Sequence, residues 1–526
     1  MRKVMCIITI IVLTHSVYAQ DRFTFIENDT SSFVENELII WLEQGVDAKE
    51  FAVRSAQKIE PKRCLFEELN IWLFEFADEK GQRNMAQRNM RMNNLASNNQ
   101  VKYVQNNHTG IDLRGLDPDD PYYNGCLYGG PQWAPPKIGL PDVWEEFTIG
   151  GITTTGDNIV VAVIDNGFYQ QHEDLNFWKN INDPINGADD DGNGYVDDYN
   201  GWNAYNNTYS LLDSLHGTAV SGVIGAIGNN GKGISGINWN GKISPVCGSI
   251  SGGNEAVVIE AYRYVYQMRS LYNETNGQKG AFIVVTNSSF GIDWNKGGNP
   301  SNFPIWCALY DVLGNVGILS CVSVINANDN IDIVGDMPSG CSSEYLIAVT
   351  NTTEDDTKYY FAGYGVSTVD IGAPGTDIYT TVPGVDEFGY APRNGTSFAS
   401  PHVAGVIALM YAAMPQNTIQ TYKNNPADFA LFVKRQLLDG ADEIPALEGL
   451  IAESRRLNAY EAVRKAQCDA YLLNQDVITN NILTASCDIN VQNVEVEQGV
   501  TLILDAEGTT KIQSIKVELG AGLKIQ

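Results

Sequence analysis

Basic residues and histidines are scarce in this chain of 526 residues. Thirty-four lysines and arginines face 63 aspartates and glutamates, a formal net charge of −29. Nucleic acids are bound by basic faces, so this balance argues against such a partner; a solvated acidic surface accounts for most of the charge. Only five histidines are present, which leaves few candidates for a general base. Cysteine is sparse too, with nine residues and no Cys-x-x-Cys spacing, which disfavours zinc-ribbon and thioredoxin-like motifs. Beyond the N-terminus no apolar run approaches the roughly 20 residues needed to cross a bilayer, so no transmembrane segment is expected.

What is present begins with "MRKVMCIITIIVLTHSVYAQ". Two basic residues, an apolar stretch from Val4 to Leu13 and a small-residue site at Ala19 have the form of a secretory signal. Residues 1–19 are read as that signal, and the protein as secreted to the periplasm, the cell surface or beyond. Disulfides are permitted there, with Cys468–Cys487 and Cys321–Cys341 as candidate pairs.

Three further blocks follow. Residues 20–115 form a small α/β unit, with strands at 37–42, 69–76 and 101–105 and helices near 46–58 and 80–96. A Pro-, Gly- and Asp-rich stretch then leads into residues 116–467. There the apolar runs at 159–164, 281–286, 316–325 and 346–350 are continuous rather than alternating. Helical stretches near 216–227, 254–271 and 302–314 separate them. Such a pattern predicts an α/β domain, a mostly parallel sheet with helices on both faces. Ligands of such sheets bind beyond the carboxyl ends of the strands. In residues 468–526, "VEVEQGVTL" at 494–502 is echoed by "IKVELGAGL" at 515–523, an offset of 21 residues. That block is read as a small all-β accessory domain, either stacked coils or a sandwich.

Asp165 ends the first apolar run, in "VVAVIDNGF", and a carboxylate there is costly without a partner. His216 opens "HGTAVSG", a small-residue helix. His402 lies five residues past Ser397, about 140° around the same helix, and is expected to pack in the core; His172, in "QQHED", is expected at the surface or in a loop. His216 is therefore the candidate base. Ser397, in "NGTSFASPHVAG", stands where a helix cap would stand. Asp, His and Ser on three such junctions form an orienter, a base and a nucleophile.

These three blocks, in this order, resemble the subtilisin-like serine peptidases over roughly residues 120–467. The resemblance implies that Ser397 attacks a peptide carbonyl, that His216 moves the proton and that Asp165 orients the imidazole. It implies Asn326, with Asn328 as the alternative, as the side-chain donor to the oxyanion, and no cofactor for catalysis. "TNSSFG" resembles the segment that presents backbone to the substrate, here Ser289, Phe290 and Gly291. Asn166 and Ala219 depart from the family pattern without removing a reacting atom. The small N-terminal unit resembles the family's propeptides, so it is expected to act as an intramolecular inhibitor, with protein or peptide substrates as the other partners. A catalytically silent binding protein on the same scaffold is the rival reading. The glycosylation sequons at Asn287 and Asn394 fall inside these blocks and are read as coincidental.

Finally, "NGADDDGNGYVDDYNGW" places Asp189, Asp191, Asn193, Tyr195 and Asp197 at positions 1, 3, 5, 7 and 9 of an EF-hand-like loop, with Asn200 at position 12. Structural calcium is the expectation, with Tyr195 offering its carbonyl.

Overall fold

The computed structural model describes residues 33–77, 85–108, 117–123, 132–249, 253–292, 298–384, 386–468 and, with short gaps, 470–525. The expected signal (1–19) lies outside the described residues, as does most of the expected junction near 115. Two compact units are distinguished, residues 1–114 and 115–526.

In the first unit four antiparallel strands run in the order Ile59–Phe66, Ile71–Phe76, Phe33–Leu42, Val101–His108. Leu38, Ile40 and Leu42 alternate inward and meet Phe51 of the helix Ala48–Arg54 and Met92 and Leu95 of the helix Met85–Ala96. The strand Ile59–Phe66 differs from expectation. It lies at the sheet edge and buries only Ile59, so it carries almost no apolar periodicity.

The second unit is built on nine strands. Their order is Asp442–Glu443, Arg455–Arg456, Ile371–Pro374, Leu346–Thr352, Leu319–Ser323, Phe282–Ser288, Ile159–Asp165, Lys242–Cys247, Trp202–Asn203. All neighbours pair in parallel except the first two strands. The run at 159–164 is continuous because both sheet faces are covered. Ile159, Val161 and Val163 enter the core under the helices Leu215–Gly225 and Thr396–Ala413, while Val160, Ala162 and Ile164 enter the one under Glu255–Glu274 and Pro304–Asn315. The fold is the expected α/β architecture. Lys242–Cys247 and Ile371–Pro374 were not foreseen; each carries a proline, and the polar Lys242 and Ser244 or a length of four residues weakens the apolar signal.

Among the described residues one helix, Thr396–Ala413, is long and apolar enough to cross a membrane, and 94% of it is buried within the fold. One expectation is corrected here. Cys341 is bonded to Cys307, 34 residues away, and not to Cys321. Cys321 is a buried free thiol on the core face opposite to Cys341, because strand side chains alternate between faces. Cys468 is disulfide-bonded, whereas Cys487 lies outside the described residues.

The tail forms stacked coils. Ala470–Val477, Ile489–Val496 and Ile515–Val517 pair in parallel, as do Asn481–Ala485, Thr501–Ala506 and Gly522–Ile525. Val494 faces Ile515 and Leu502 faces Leu523, so the 21-residue echo is the rise from one coil to the next. Val491, Val494, Val496, Leu502 and Leu504 fill the interior.

Candidate active site

Asp165 is the last residue of its strand and 2% exposed. Its Oδ1 accepts the Asn166 N–H at 2.7 Å, and both oxygens lie 2.9 Å from His216 Nδ1. His216 occupies the first turn of the helix Leu215–Gly225. Gly217 permits this approach: a Cβ there would stand 2.3 Å from the Gly167 carbonyl and 3.0 Å from Asp165 Cβ. Burial alone would lower the imidazole pKa, but the Asp165 charge and hydrogen bond carry it above the ordinary value.

Ser397 is the second residue of the helix Thr396–Ala413, entered through Gly395 at φ 141°, a conformation suited to glycine. Its N–H is among the unpaired donors of the helix start, where the helix dipole favours negative charge. Ser397 is 8% exposed, and its hydroxyl donates to the Ser289 carbonyl at 3.3 Å. The His216 ring lies tilted against that of Phe398, the next residue, with ring centroids 5.9 Å apart. Thus Asp165 and His216 are joined by hydrogen bonds, while the Ser397 hydroxyl is turned to the neighbouring strand end.

Asn326 follows the strand Leu319–Ser323. Its Oδ1 accepts from the Thr396 N–H and hydroxyl at 3.0 and 3.1 Å, which reserves its amide N–H groups for the cleft. Asn328 is exposed and accepts from Lys358 Nζ at 2.9 Å, so of the two asparagines only Asn326 lines the cleft. Ser289, Phe290 and Gly291 line that same cleft of about 110 Å³ with Ser323, Asn326 and Ser397. Thr396 and Asp336 escaped sequence reading. Thr396 stands in the Ser397 block, but its bonds to Asn326 and to the Val324 carbonyl come from chain 70 and 72 residues away; Asp336 stands in no motif and reaches the cleft only through the fold of the loop after Asn326.

The remaining polar candidates separate clearly. Ser400 is fully buried and donates to Asn287 Oδ1 at 2.7 Å, so it braces the helix; Asn287 is itself 0% exposed and closed to a glycan. His402 is 3% exposed, with Nδ1 2.7 Å from the Phe398 carbonyl, and burial pushes its pKa down to about 4. His172 corrects the expectation of a surface residue. It is 3% exposed, its Nε2 is 2.9 Å from the Gly389 carbonyl and its Nδ1 takes the Asp174 N–H. Gln171 and Glu173 face outward while the imidazole and Asp174 turn in.

The acidic loop does not gather the six expected positions into one donor set. Asp189 clasps the N–H groups of Gly192, Asn193 and Gly194, and Asp197 clasps those of Asn186 and Gly187. Asp191 and Asp198 meet across the Asn180 and Asn193 amides. The Tyr195 N–H donates to Asn193 Oδ1, and Asn200 Oδ1 accepts from Lys179. Among the described residues no group of three or more His, Cys, Asp or Glu is arranged to hold a metal ion.

Similarity to known proteins agrees with this architecture. A family model described as the subtilase family, peptidase S8, matches residues 156–449, more than half of the chain. The chain is 28% identical over 323 residues to subtilisin-like protease 1 of Plasmodium berghei, covering 56% of this chain and 49% of that protein. It is 32% identical over 283 residues to an extracellular protease of Xanthomonas campestris, covering 50% and 45%. It is 28% identical over 366 residues to a thermophilic serine proteinase of Bacillus sp. strain AK1, covering 69% and 73%. The chain spans about half the length of the first two relatives. With a mostly parallel sheet flanked by helices, and a family model over most of that sheet, the chain belongs to the subtilase family.

Proposed function

We propose that the protein is a secreted serine endopeptidase made as a self-processing zymogen. The observation that carries this reading is the Asp165–His216 pair, 2.9 Å from each carboxylate oxygen, beside a serine on the first turn of a buried helix. Ser397 Oγ leaves the Ser289 carbonyl for His216 Nε2 and attacks the substrate carbonyl as the imidazole takes its proton. Such hydrogen bonds often form only in the substrate complex. The oxyanion is met by the Ser397 N–H and the Asn326 amide, donors fixed before charge develops. His216 then returns the proton to the leaving amine, and water repeats the cycle on the acyl-enzyme. Extended substrate adds as a strand along Ser289–Gly291.

The small α/β block, residues 20–115, is assigned as the inhibitory propeptide and the coiled tail as an accessory module. Protease names among the relatives, two of them extracellular, favour this over a silent scaffold. Calcium takes no step in this chemistry and is proposed only as a structural ion of the acidic loop, whose carboxylates keep acceptor sites beyond the hydrogen bonds they already accept. The experiment compares the full chain with Ser397→Ala. The parent is expected to shed a segment of about 95 residues and to bind a fluorophosphonate at Ser397, while the variant does neither. A parent that stays full length and unlabelled overturns the reading.

A further inference from the structure

The cleft beside Ser397 contains an acid that the peptidase chemistry does not use. Its walls are Ser289–Ile292 and Ser323–Asn326, and the remaining residues lining it are Ser397 and Asp336. Asp336 is the only ionisable side chain among them. It is 3% exposed, and no lysine, arginine or histidine pairs with it among the described residues. Burial accordingly holds its carboxyl above the usual range.

Its partners are all neutral. Oδ1 accepts the Met337 N–H at 3.0 Å; Oδ2 accepts the Ile325 N–H at 2.9 Å and the Ser339 hydroxyl at 2.6 Å. A carboxylate offers about four acceptor directions, so capacity remains for another donor. The position is firmly held. The Ile292 N–H donates to the Met337 carbonyl at 3.0 Å. Cys341, five residues on, is bonded to Cys307 of the helix Pro304–Asn315. A buried carboxylate without a cation is expensive. Here it lies in a narrow cleft with Phe290, Val324 and Ile325 on its walls. Apolar walls with an acid among them suit a long aliphatic stem that ends in a cation.

We propose that Asp336 is a specificity-determining residue, and that the cleft takes a lysine or arginine side chain from the residue whose carbonyl Ser397 attacks. The proposal rests on the peptidase reading and narrows it, since main-chain strand addition alone would tolerate many side chains. Asp336 fails in this role if it serves only as an acceptor for its own loop.

The test uses protein expressed from the full chain and allowed to process itself. Peptide anilides that differ only at the residue before the cut carry Lys, Arg, Leu, Phe or Gln there. The parent is expected to show kcat/KM at least about tenfold higher for Lys and Arg than for the other three. In Asp336→Asn the ratio of Lys to Leu turnover falls by about tenfold or more, whereas an equal loss on all substrates overturns the proposal. Should that variant not fold, the parent alone decides. Benzamidine must compete with fluorophosphonate labelling of Ser397 far better than neutral benzamide, and equal competition overturns the assignment. A parent that labels yet prefers Leu or Phe sinks the specificity proposal and leaves the peptidase standing. A parent that neither labels nor cleaves sinks both.

Discussion

At His216 two influences oppose each other: burial favours the neutral ring, and Asp165 favours the cation. The carboxylate prevails, so the folded pKa is above 6.5. A base must be neutral to act, and activity therefore rises with pH. The acid limb of kcat/KM is expected above pH 6.5, and Asp165→Asn should abolish most turnover while lowering that limb. A pH profile of both forms on one anilide substrate checks this. Asn326→Ala is expected to cost about 10²–10³ in kcat with little change in KM, as for other oxyanion donors. Asn328→Ala, which loses only a contact to Lys358, should stay near the parent. These residues were legible in the sequence because each stands in a contiguous motif. Thr396 and Asp336 were not, because what they do depends on chain distant in sequence.

Elements carry the stability. The loop from Cys307 to Cys341 closes 34 residues, and removing the bridge with Cys307→Ser is expected to cost about 3–4 kcal/mol by loop entropy, read as a fall in the urea midpoint. Cys321→Ser should not reproduce that loss of cross-linking, since Cys321 is a free thiol. Two buried groups give opposite pH slopes. Burial raises Asp174 to about 7, with the Asp120 charge adding to it. Its folded pKa exceeds the unfolded value, so its stabilising effect is complete below about pH 4 and is lost as pH rises through 7. His402, lowered to about 4, stabilises fully above 6.5 and loses that contribution as pH falls through 4. Asp174→Asn should flatten the slope between pH 4 and 7, measured as Tm against pH. The strand Ile159–Asp165 and the helix Thr396–Ala413 were visible as unbroken apolar runs. Ile59–Phe66 and Lys242–Cys247 were hidden, since an edge position or an internal proline removes the pattern that marks a strand.

On the scale of the whole molecule, the two units and the coiled tail are separately cored. Val494→Asp should disrupt the coils, where Val494 is 2% exposed, yet leave anilide hydrolysis intact, a split seen by comparing protease sensitivity of the tail with turnover. The sequence by itself determined the α/β class, the three motif blocks and the 21-residue rise of the tail, because each is written in neighbouring residues or in a fixed period. Folding alone settled which cysteine meets Cys341, that His172 turns inward, that Asp189 and Asp197 clasp backbone N–H groups of their own loop, and that Asp336 lines the cleft beside Ser397. Those outcomes depend on which sheet face a side chain takes and on which distant segments the fold brings within hydrogen-bonding reach, and no local pattern encodes either.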